Sequence, residues 1–489
     1  MGLKAAVVGS GIAGIASALR LRAKGYEVTI FEQNKYTGGK LHSFRRGDYR
    51  FDYGPSLLTM PQLVDELFGL FDKNPASYFE YKRKETICHY FWEDGTQFQI
   101  DADQQKFIKE ASKTFDEPEK HLIDYLESTR TKYDLTSRLF LEKSLHKFST
   151  YLSSDTLKAI VSLSKLHLDQ TLNEVNKKYF THPKLVQLFN RFATYNGSSP
   201  YKTPGIMSMI PHLEMNYGAY IPKHGMHDIS QSLTQLCKDV GISFMMNSKV
   251  EGINHKNNKA DGLTVNGETH HFDTVVCNMD VYSAYNSLLK GLAPPKKTLE
   301  QERSSSALIF YWGINKSFKD LDLHNILFTE DYQNEFDHLF HKKYFGNDPT
   351  VYINITSKDV ETDAPEGCEN WFVMVNAPTN CGQDWNSQTA YIREKIIAKI
   401  NTCLGIKIQD HIEVEHVETP ETIEAATSSF QGSLYGTSSN NKFAAFLRHP
   451  NFSSQLKNLY FCGGSVHPGG GIPLCLLSAK IVSDLVPKA

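Results

Sequence analysis

The apolar positions near the N-terminus follow the pattern of a strand, a turn, a helix and a second strand. Residues 5–8 and 26–31 are short apolar runs, which are typical of buried parallel strands. Residues 13–23 are rich in Ala, Leu and Arg and predict a helix, which Gly25 would end. The chain is therefore expected to begin with a β-α-β unit.

Residues 60–220 have a different pattern. Two short strands are predicted near 87–92 and 97–101, with a hairpin turn between them, and the remainder is mainly helical. One helix is predicted to start at Asp116, which has the capping-box spacing to Glu119. Another is predicted from residue 154 or 155, because apolar residues recur at helical spacing up to residue 175.

From residue 220 onward, strands and helices alternate again. A β-meander is predicted to begin at residue 249, and a last helix to run from about 472 to 486. The other predicted strands lie at residues 242–246, 273–278, 307–312, 351–355, 371–377 and 458–462.

The turn between the first strand and the first helix carries the most specific chemical signal. Residues 9–14, GSGIAG, match the pattern G-x-G-x-x-G. Gly9 would permit the tight turn, Gly11 would let a pyrophosphate approach the backbone, and Gly14 would let helix and strand pack closely. Glu32 ends the second strand, where a carboxylate can accept a hydrogen bond from a ribose hydroxyl. Together these features predict a dinucleotide site.

Two further glycine-rich segments extend this hypothesis. Residues 37–40, TGGK, predict a loop that folds back over the pyrophosphate, with Lys40 as a point charge. Near the C-terminus, residues 463–473 form a glycine-rich turn that opens the last helix, with Pro473 in its first turn.

Composition narrows the function classes. The 489 residues carry a net charge of −3, which gives no electrostatic argument for binding nucleic acid. The eight cysteines form no C-x-x-C pair, so neither a metal site nor a redox dithiol is predicted, and free thiols fit a reducing compartment. No apolar run is long enough to span a membrane. No acid–base constellation stands out, so the catalytic residues stay unknown.

Several segments together resemble one enzyme family. They are VVGSGIAGIASALRL, Glu32, TGGK at 37–40, FDYGPSLLT at 51–59, GAYIPKHGMHDI at 218–229 and YFCGGSVHPGGGIP at 460–473. With these segments, the chain resembles the bacterial carotenoid and phytoene desaturases, FAD-dependent flavoproteins related to the amine oxidases. Residues 191–201 and 210–214 look closest to the hydroxycarotenoid 3,4-desaturase branch. Family members often carry Arg where this chain has Lys40, which keeps the charge and loses the bidentate fork.

The resemblance implies FAD as a non-covalent cofactor. Residues 9–14 and Lys40 would hold the diphosphate, Glu32 the ribose, and the start of the last helix would face the flavin ring. The implied cofactor-binding residues are Gly9, Gly11, Ile12, Ala13, Gly14, Glu32, Lys40, Ser56, Leu57, Val250, Asn278, Leu434, Gly464, Gly471 and Ile472.

The implied fold class is α/β, with a Rossmann-type FAD-binding domain, a mixed α+β substrate domain and a helical subdomain, as in amine-oxidase-like flavoproteins. The FAD-binding domain would comprise residues 1–70, 220–290 and 425–489. The substrate domain would comprise residues 71–115, 200–219 and 291–424, and the helical, membrane-facing subdomain residues 116–199.

The implied reaction is dehydrogenation of a carotenoid by hydride transfer to the flavin, at the 3,4 bond of an acyclic, 1-hydroxylated end. Dioxygen or a quinone would be the final electron acceptor. Two other enzymes fit the same motifs, a phytoene-type desaturase and a flavin-dependent carotenoid isomerase. A non-enzyme also fits, since the GDP-dissociation inhibitors share the general architecture and bind prenyl chains.

A carotenoid substrate resides in a bilayer, so the expected location is cytoplasmic, peripherally attached to the inner face of the membrane. Residues 131–180 carry eight Lys or Arg and five Asp or Glu, a positive balance in a chain of net charge −3. Lys147, Lys158 and Lys165 are expected to meet anionic headgroups there.

Overall fold

A five-stranded parallel sheet forms the first half of the architecture. The structure is a computed structural model and describes residues 2–151, 162–441 and 446–489. All four strand pairs in this sheet are parallel. In sheet order, its strands are Leu459–Phe461, Thr274–Cys277, Lys4–Val8, Glu27–Phe31 and Ser243–Met245.

The central strand Lys4–Val8 is buried on both faces, as its continuous apolar run predicts. On one face, Ala5 and Val7 pack in a core with four helices, Ile12–Ala23, Gln62–Gly69, His227–Asp239 and Ile472–Leu485. On the other face, Ala6 and Val8 share a core with the helix Val281–Ser287 and an antiparallel meander. The meander strands are Val250–Lys256, Lys259–Val265 and Glu268–His271, which confirms the predicted meander.

A seven-stranded sheet forms the second half. Its strands, in sheet order, are Ile412–Glu418, Ser306–Ile314, Glu369–Ala377, Val351–Ile355, His324–Leu327, Thr86–Phe91 and Gln97–Asp101. All pairs are antiparallel except His324–Leu327 with Thr86–Phe91. Trp312 and Trp371 lie opposite each other in register and are fully buried. The predicted hairpin near residue 94 thus joins a sheet whose other strands lie more than 200 residues later.

The remaining elements surround these two sheets. Two short ribbons pair Ser43–Arg46 with Tyr49–Asp52 and Tyr81–Arg83 with Tyr220–Pro222. The other α-helices of the described residues are Gln104–Phe115, Glu119–Phe140, Phe148–Tyr151, Leu172–Tyr179, Pro183–Asn190, Ile210–Met215, Lys296–Leu299, Tyr332–Asp337, Trp385–Leu404 and Pro420–Thr427. Among the described residues, no helix is both long enough and apolar enough to span a membrane.

One predicted helix start is wrong, and a second lies outside the described residues. Asp116 ends the helix Gln104–Phe115 in the left-handed conformation, with φ of 49°, and the next helix begins at Glu119 after Pro118 without a side-chain cap. The helix predicted from residue 154 falls partly outside the described residues. Its C-terminal part is broken at His167, and a new helix starts at Leu172, capped by Thr171 and Glu174. At Asp116 a left-handed residue stands where the capping-box spacing predicts a helix start, and at His167 a left-handed residue interrupts the predicted helix.

Candidate functional site

A cavity of about 780 Å³ lies between the two sheets. Its walls include Val8 and Phe31 from the parallel sheet and Phe372 and Met374 from the seven-stranded sheet. Every residue predicted to bind the cofactor lines this cavity except Gly14. The lining residues are Gly9, Gly11, Ile12, Ala13, Glu32, Lys40, Ser56, Leu57, Val250, Asn278, Leu434, Gly464, Gly471 and Ile472.

The glycine loop requires its glycines for separate reasons. Gly9 has φ of +91°, and its N–H donates to the carbonyl of Phe31 at 2.8 Å. A Cβ atom on Gly14 would lie 2.2 Å from the carbonyl oxygen of Gly9, so the helix could not pack this close with any other residue. A Cβ atom on Gly11 would lie 2.8 Å from the Asn278 amide. Gly14 therefore belongs to the packing behind the cavity wall.

Asn278 closes one side of the same loop. Its carboxamide lies 3.3 Å from the N–H groups of Gly11 and Gly14, and its oxygen accepts from both when it faces them. Ile12 and Ala13 are the first two residues of the helix, and N–H groups there have no acceptor within the helix. This helix start on the cavity wall can therefore bind an anion.

The Glu32 carboxylate is buried and already holds four hydrogen bonds. One oxygen accepts from the N–H and hydroxyl of Ser10, at 2.8 and 2.6 Å. The other accepts from the backbone and side-chain nitrogens of Asn34, at 2.9 and 3.0 Å. Glu32 thus fixes the conformation of the glycine loop as well as lining the cavity, and a ribose hydroxyl would share its oxygens with these donors.

Residues 38–40 fold back over the glycine loop, as expected for TGGK. The N–H of Gly38 donates to the carbonyl of Ser10 at 2.9 Å. The Lys40 ammonium donates to the carbonyl of Leu434 at 3.2 Å. Burial lowers the pKa of Lys40, and the nearby Asp280 carboxylate partly opposes this shift. Lys40 thus links the loop of residues 37–40 to the segment around Leu434, which also lines the cavity.

The last helix starts at the cavity, as expected. Gly471 is its N-cap, with φ of +101°, and Pro473 occupies the first turn, where a missing N–H costs nothing. A Cβ atom on Gly471 would meet nothing within 4 Å. The positive end of the helix dipole therefore faces the cavity.

A buried ion pair lines the cavity, and sequence reasoning gave it no chemical role. The Arg191 guanidinium donates to both oxygens of Glu214, at 3.1 and 2.9 Å, and Tyr195 donates to the same carboxylate at 2.9 Å. Burial lowers the pKa of Arg191, but the neighbouring groups, of which Glu214 contributes most, together outweigh burial and raise that pKa well above its ordinary value. Arg191 and Glu214 lie in residues 191–201 and 210–214, which in the sequence served only to show the resemblance to one branch of the desaturases.

A second polar group, also missed, joins Ser56 to Tyr352 and His324. Ser56 was expected here, whereas Tyr352 and His324 were not. Their two strands pair in the seven-stranded sheet, and no local motif marks either residue.

Comparison with known proteins decides the family. The model for flavin containing amine oxidoreductases matches residues 12–487. The chain belongs to the flavin-containing amine oxidoreductase family. As a member, it is a flavin-dependent oxidoreductase, which argues against a prenyl-binding protein without activity.

Two curated relatives match this flavin-containing oxidoreductase over 99% of both chains. A 1-hydroxycarotenoid 3,4-desaturase from Flavobacterium sp. is 58% identical over 485 residues. A 4,4'-diapophytoene desaturase (4,4'-diaponeurosporene-forming) from Staphylococcus aureus is 31% identical over 502 residues.

Solved structures of the same fold include two oxidoreductases. One, from Methanosarcina mazei, has a TM-score of 0.65 at 14% identity, covering 99% of this chain and 100% of that chain. The cyclohexylamine oxidase from Brevibacterium oxydans has a TM-score of 0.62 at 14% identity, covering 99% and 98%. They confirm the predicted amine-oxidase-like fold class.

The site fits FAD, the cofactor of this flavin-containing oxidoreductase. The glycine loop leaves backbone N–H groups for a diphosphate, Glu32 offers carboxylate oxygens at the end of the second strand, and a second helix start faces the cavity. Mononucleotide flavins would need no such acid at the second strand.

Replacing Gly11 by Val is expected to abolish FAD binding, because the side chain would collide with the Asn278 amide and occupy the approach of the pyrophosphate. The measurement is flavin absorbance per protein after gel filtration, with circular dichroism to check folding. Gly69→Val is the matched control, since a Cβ atom there meets nothing within 4 Å. Full flavin retention in the Gly11 variant would contradict the placement.

Replacing Glu32 by Ala should weaken FAD binding by about 1–3 kcal/mol, because a buried ribose hydroxyl would lose its acceptor. Glu32→Gln should lose less, since one acceptor oxygen remains. Titration of the apoprotein with FAD gives the dissociation constants, with the exposed Glu27→Ala of the preceding strand as control. Equal constants for wild type and the Ala variant would argue against the ribose role.

Proposed function

We propose that this protein is an FAD-dependent carotenoid desaturase that forms the 3,4 double bond at an acyclic end carrying a 1-hydroxyl group. The observation that carries the proposal is the 58% identity to a 1-hydroxycarotenoid 3,4-desaturase over 99% of both chains. At this identity, aligned without large gaps, the same pocket is expected to take the same class of substrate.

The apolar lining of the cavity supports this proposal. Beyond the glycine loop, the cavity is lined by apolar side chains that include Ile309, Ile326, Phe372 and Met374. These side chains can hold a polyene and exclude water from the reacting carbon atoms. Positioning of the substrate against the flavin would then be the main contribution of the protein.

When bound, FAD supplies a two-electron acceptor that takes a hydride from an allylic carbon, while the neighbouring carbon loses a proton. The polyene delocalises the positive charge at the reacting carbon, so the proton needs no strong base. We accordingly assign no catalytic acid or base. Dioxygen or a quinone stays the expected final electron acceptor. The limits of the FAD-binding, substrate and helical domains stay a prediction.

A second candidate is a phytoene-type desaturase, which the 31% identity to diapophytoene desaturase favours. The two candidates differ in the number and position of the bonds formed. A carotenoid isomerase, the third enzyme considered, would form none.

Incubation of the FAD-loaded protein with a 1-hydroxylated acyclic carotenoid and with phytoene distinguishes these activities. We expect loss of two hydrogens at the hydroxylated end, seen as a mass decrease and a red shift of the absorption maximum. Loss of several hydrogen pairs from phytoene would favour the second candidate, and an unchanged mass with an altered spectrum would indicate an isomerase. Heat-inactivated enzyme is the control.

We also propose that the protein acts as a peripheral protein on the cytoplasmic face of the membrane, where such substrates reside. An apolar patch of Phe148, Tyr151 and Leu447 supports this, because these side chains are 78%, 48% and 43% exposed. Phe446, next to Leu447, packs with Leu139 and Leu145, which brings the two segments together. Of the predicted lysines, Lys147 and Lys165 are exposed. Lys158 lies outside the described residues.

The membrane proposal predicts salt-sensitive binding to anionic liposomes. Replacing Lys147 and Lys165 by Glu should weaken this binding by about 1 kcal/mol per residue, since basic side chains attract anionic headgroups. The double variant Phe148→Ser and Tyr151→Ser should weaken binding at all salt concentrations. Sedimentation with liposomes measures both effects, with the exposed Tyr391→Ser as control and flavin content as a folding check. Equal binding by wild type and both variants would place the membrane contact elsewhere.

A further inference from the structure

Three polar side chains form a hydrogen-bonded group in the wall of the cavity, where apolar residues such as Ile326 and Phe372 also lie. The Ser56 hydroxyl lies 2.8 Å from the Tyr352 hydroxyl, which lies 2.7 Å from Nδ1 of His324. All three residues line the cavity. Burying polar groups beside a hydrocarbon substrate is costly. The presence of these three hydrogen-bonded side chains in the cavity wall therefore needs an explanation.

The direction of the hydrogen bonds follows from Asn354. Its side-chain nitrogen donates to the carbonyl of Leu323 at 2.9 Å, which identifies it as the nitrogen. The same nitrogen lies 3.3 Å from Nδ1 of His324, so Nδ1 must be an acceptor. Burial lowers the pKa of His324 to about 4, which keeps the ring neutral, with its proton on Nε2.

The Tyr352 hydroxyl therefore donates to His324, and the Ser56 hydroxyl donates to Tyr352. Burial raises the pKa of Tyr352, so the phenol keeps its proton. Because the Ser56 hydroxyl donates its proton to Tyr352, its oxygen can act only as an acceptor toward another group. At the other end, Nε2 of His324 is buried and has no hydrogen-bond partner among the described residues. In the part of the chain that the structure describes, the hydrogen-bonded group thus has a free acceptor at Ser56 Oγ and an unpartnered N–H at His324 Nε2.

We propose that Ser56, oriented by Tyr352 and His324, binds the hydroxyl group at the end of the substrate by accepting its hydrogen bond. This inference rests on the function proposed above and names the residues that select the hydroxylated end. A tertiary alcohol has one proton to donate, which matches an acceptor fixed by its neighbours. The hydroxyl lies only two carbon atoms from the 3,4 bond, so its binding would also set which bond faces the flavin.

The buried group of Arg191, Glu214 and Tyr195 is less suited to this role. Both oxygens of Glu214 accept from Arg191, and Tyr195 donates to one of them. The Tyr195 hydroxyl in turn accepts from Arg191 at 3.3 Å. Arg191 Nε has no partner among the described residues, but it can only donate. The acceptors of this group already bond one another, so a substrate hydroxyl that donates would have to compete with an ion pair.

The test compares kcat/KM for a 1-hydroxylated acyclic carotenoid with that for the same carotenoid lacking the hydroxyl. Ser56→Ala should lower this preference roughly 3- to 10-fold, the worth of one hydrogen bond to a neutral group. Tyr352→Phe should lower it less, because Ser56 keeps its oxygen and loses only its orientation. The double variant should lose no more than Ser56→Ala, since both changes act through one contact. Tyr195→Phe is the matched control and should keep the preference.

The ratio is independent of how much FAD each variant retains, and flavin absorbance and thermal unfolding check folding. A wild-type preference that survives in both Ser56→Ala and Tyr352→Phe would overturn the inference and leave the proposed function standing. Loss of the preference in Tyr195→Phe alone would overturn it in favour of the Arg191 group. A wild type without activity on the hydroxylated carotenoid would overturn the proposed function, and the inference with it.

Discussion

The close approach of the first helix to the parallel sheet is the constraint on which the rest of the site depends. The Gly14 position leaves no room for a side chain, because the carbonyl oxygen of Gly9 would lie 2.2 Å from a Cβ atom. This contact sets the start of the helix Ile12–Ala23 against Asn278, at the end of a neighbouring strand. The same helix packs along Ile472–Leu485, so the two helix starts that face the cavity are positioned together.

The cavity combines two environments because it lies between sheets of different kinds. The parallel sheet contributes strand ends, a glycine loop and backbone N–H groups, which suit a charged dinucleotide. The seven-stranded sheet contributes side chains from its face, and these are mostly apolar. Lys40 connects the environments through its hydrogen bond to the carbonyl of Leu434. A hydride acceptor and a hydrocarbon can therefore meet at one boundary while water is excluded.

Two polar groups stand among the apolar side chains of the cavity wall, and they differ in charge. Arg191 and Glu214 neutralise one another, and breaking such a buried pair would leave an uncompensated charge. The chain through Ser56, Tyr352 and His324 is different, because it carries no net charge and retains an acceptor. A neutral acceptor suits an alcohol better than a buried charge does, since no desolvated ion has to be stabilised.

The sequence by itself determined the β-α-β unit, the meander, the helix Ile472–Leu485 and the residues around the glycine loop. These features depend on consecutive residues, through φ values, helix starts and apolar spacing. The same local reasoning failed at Asp116, where the capping-box spacing predicts a helix start but a left-handed residue ends the preceding helix. It also failed at His167, where a left-handed residue interrupts a helix that apolar spacing would continue. Only the tertiary structure decided that His324 and Tyr352 meet Ser56, and that Lys40 reaches Leu434. Those contacts join segments hundreds of residues apart, and strand pairing across the second sheet creates them without any local signal.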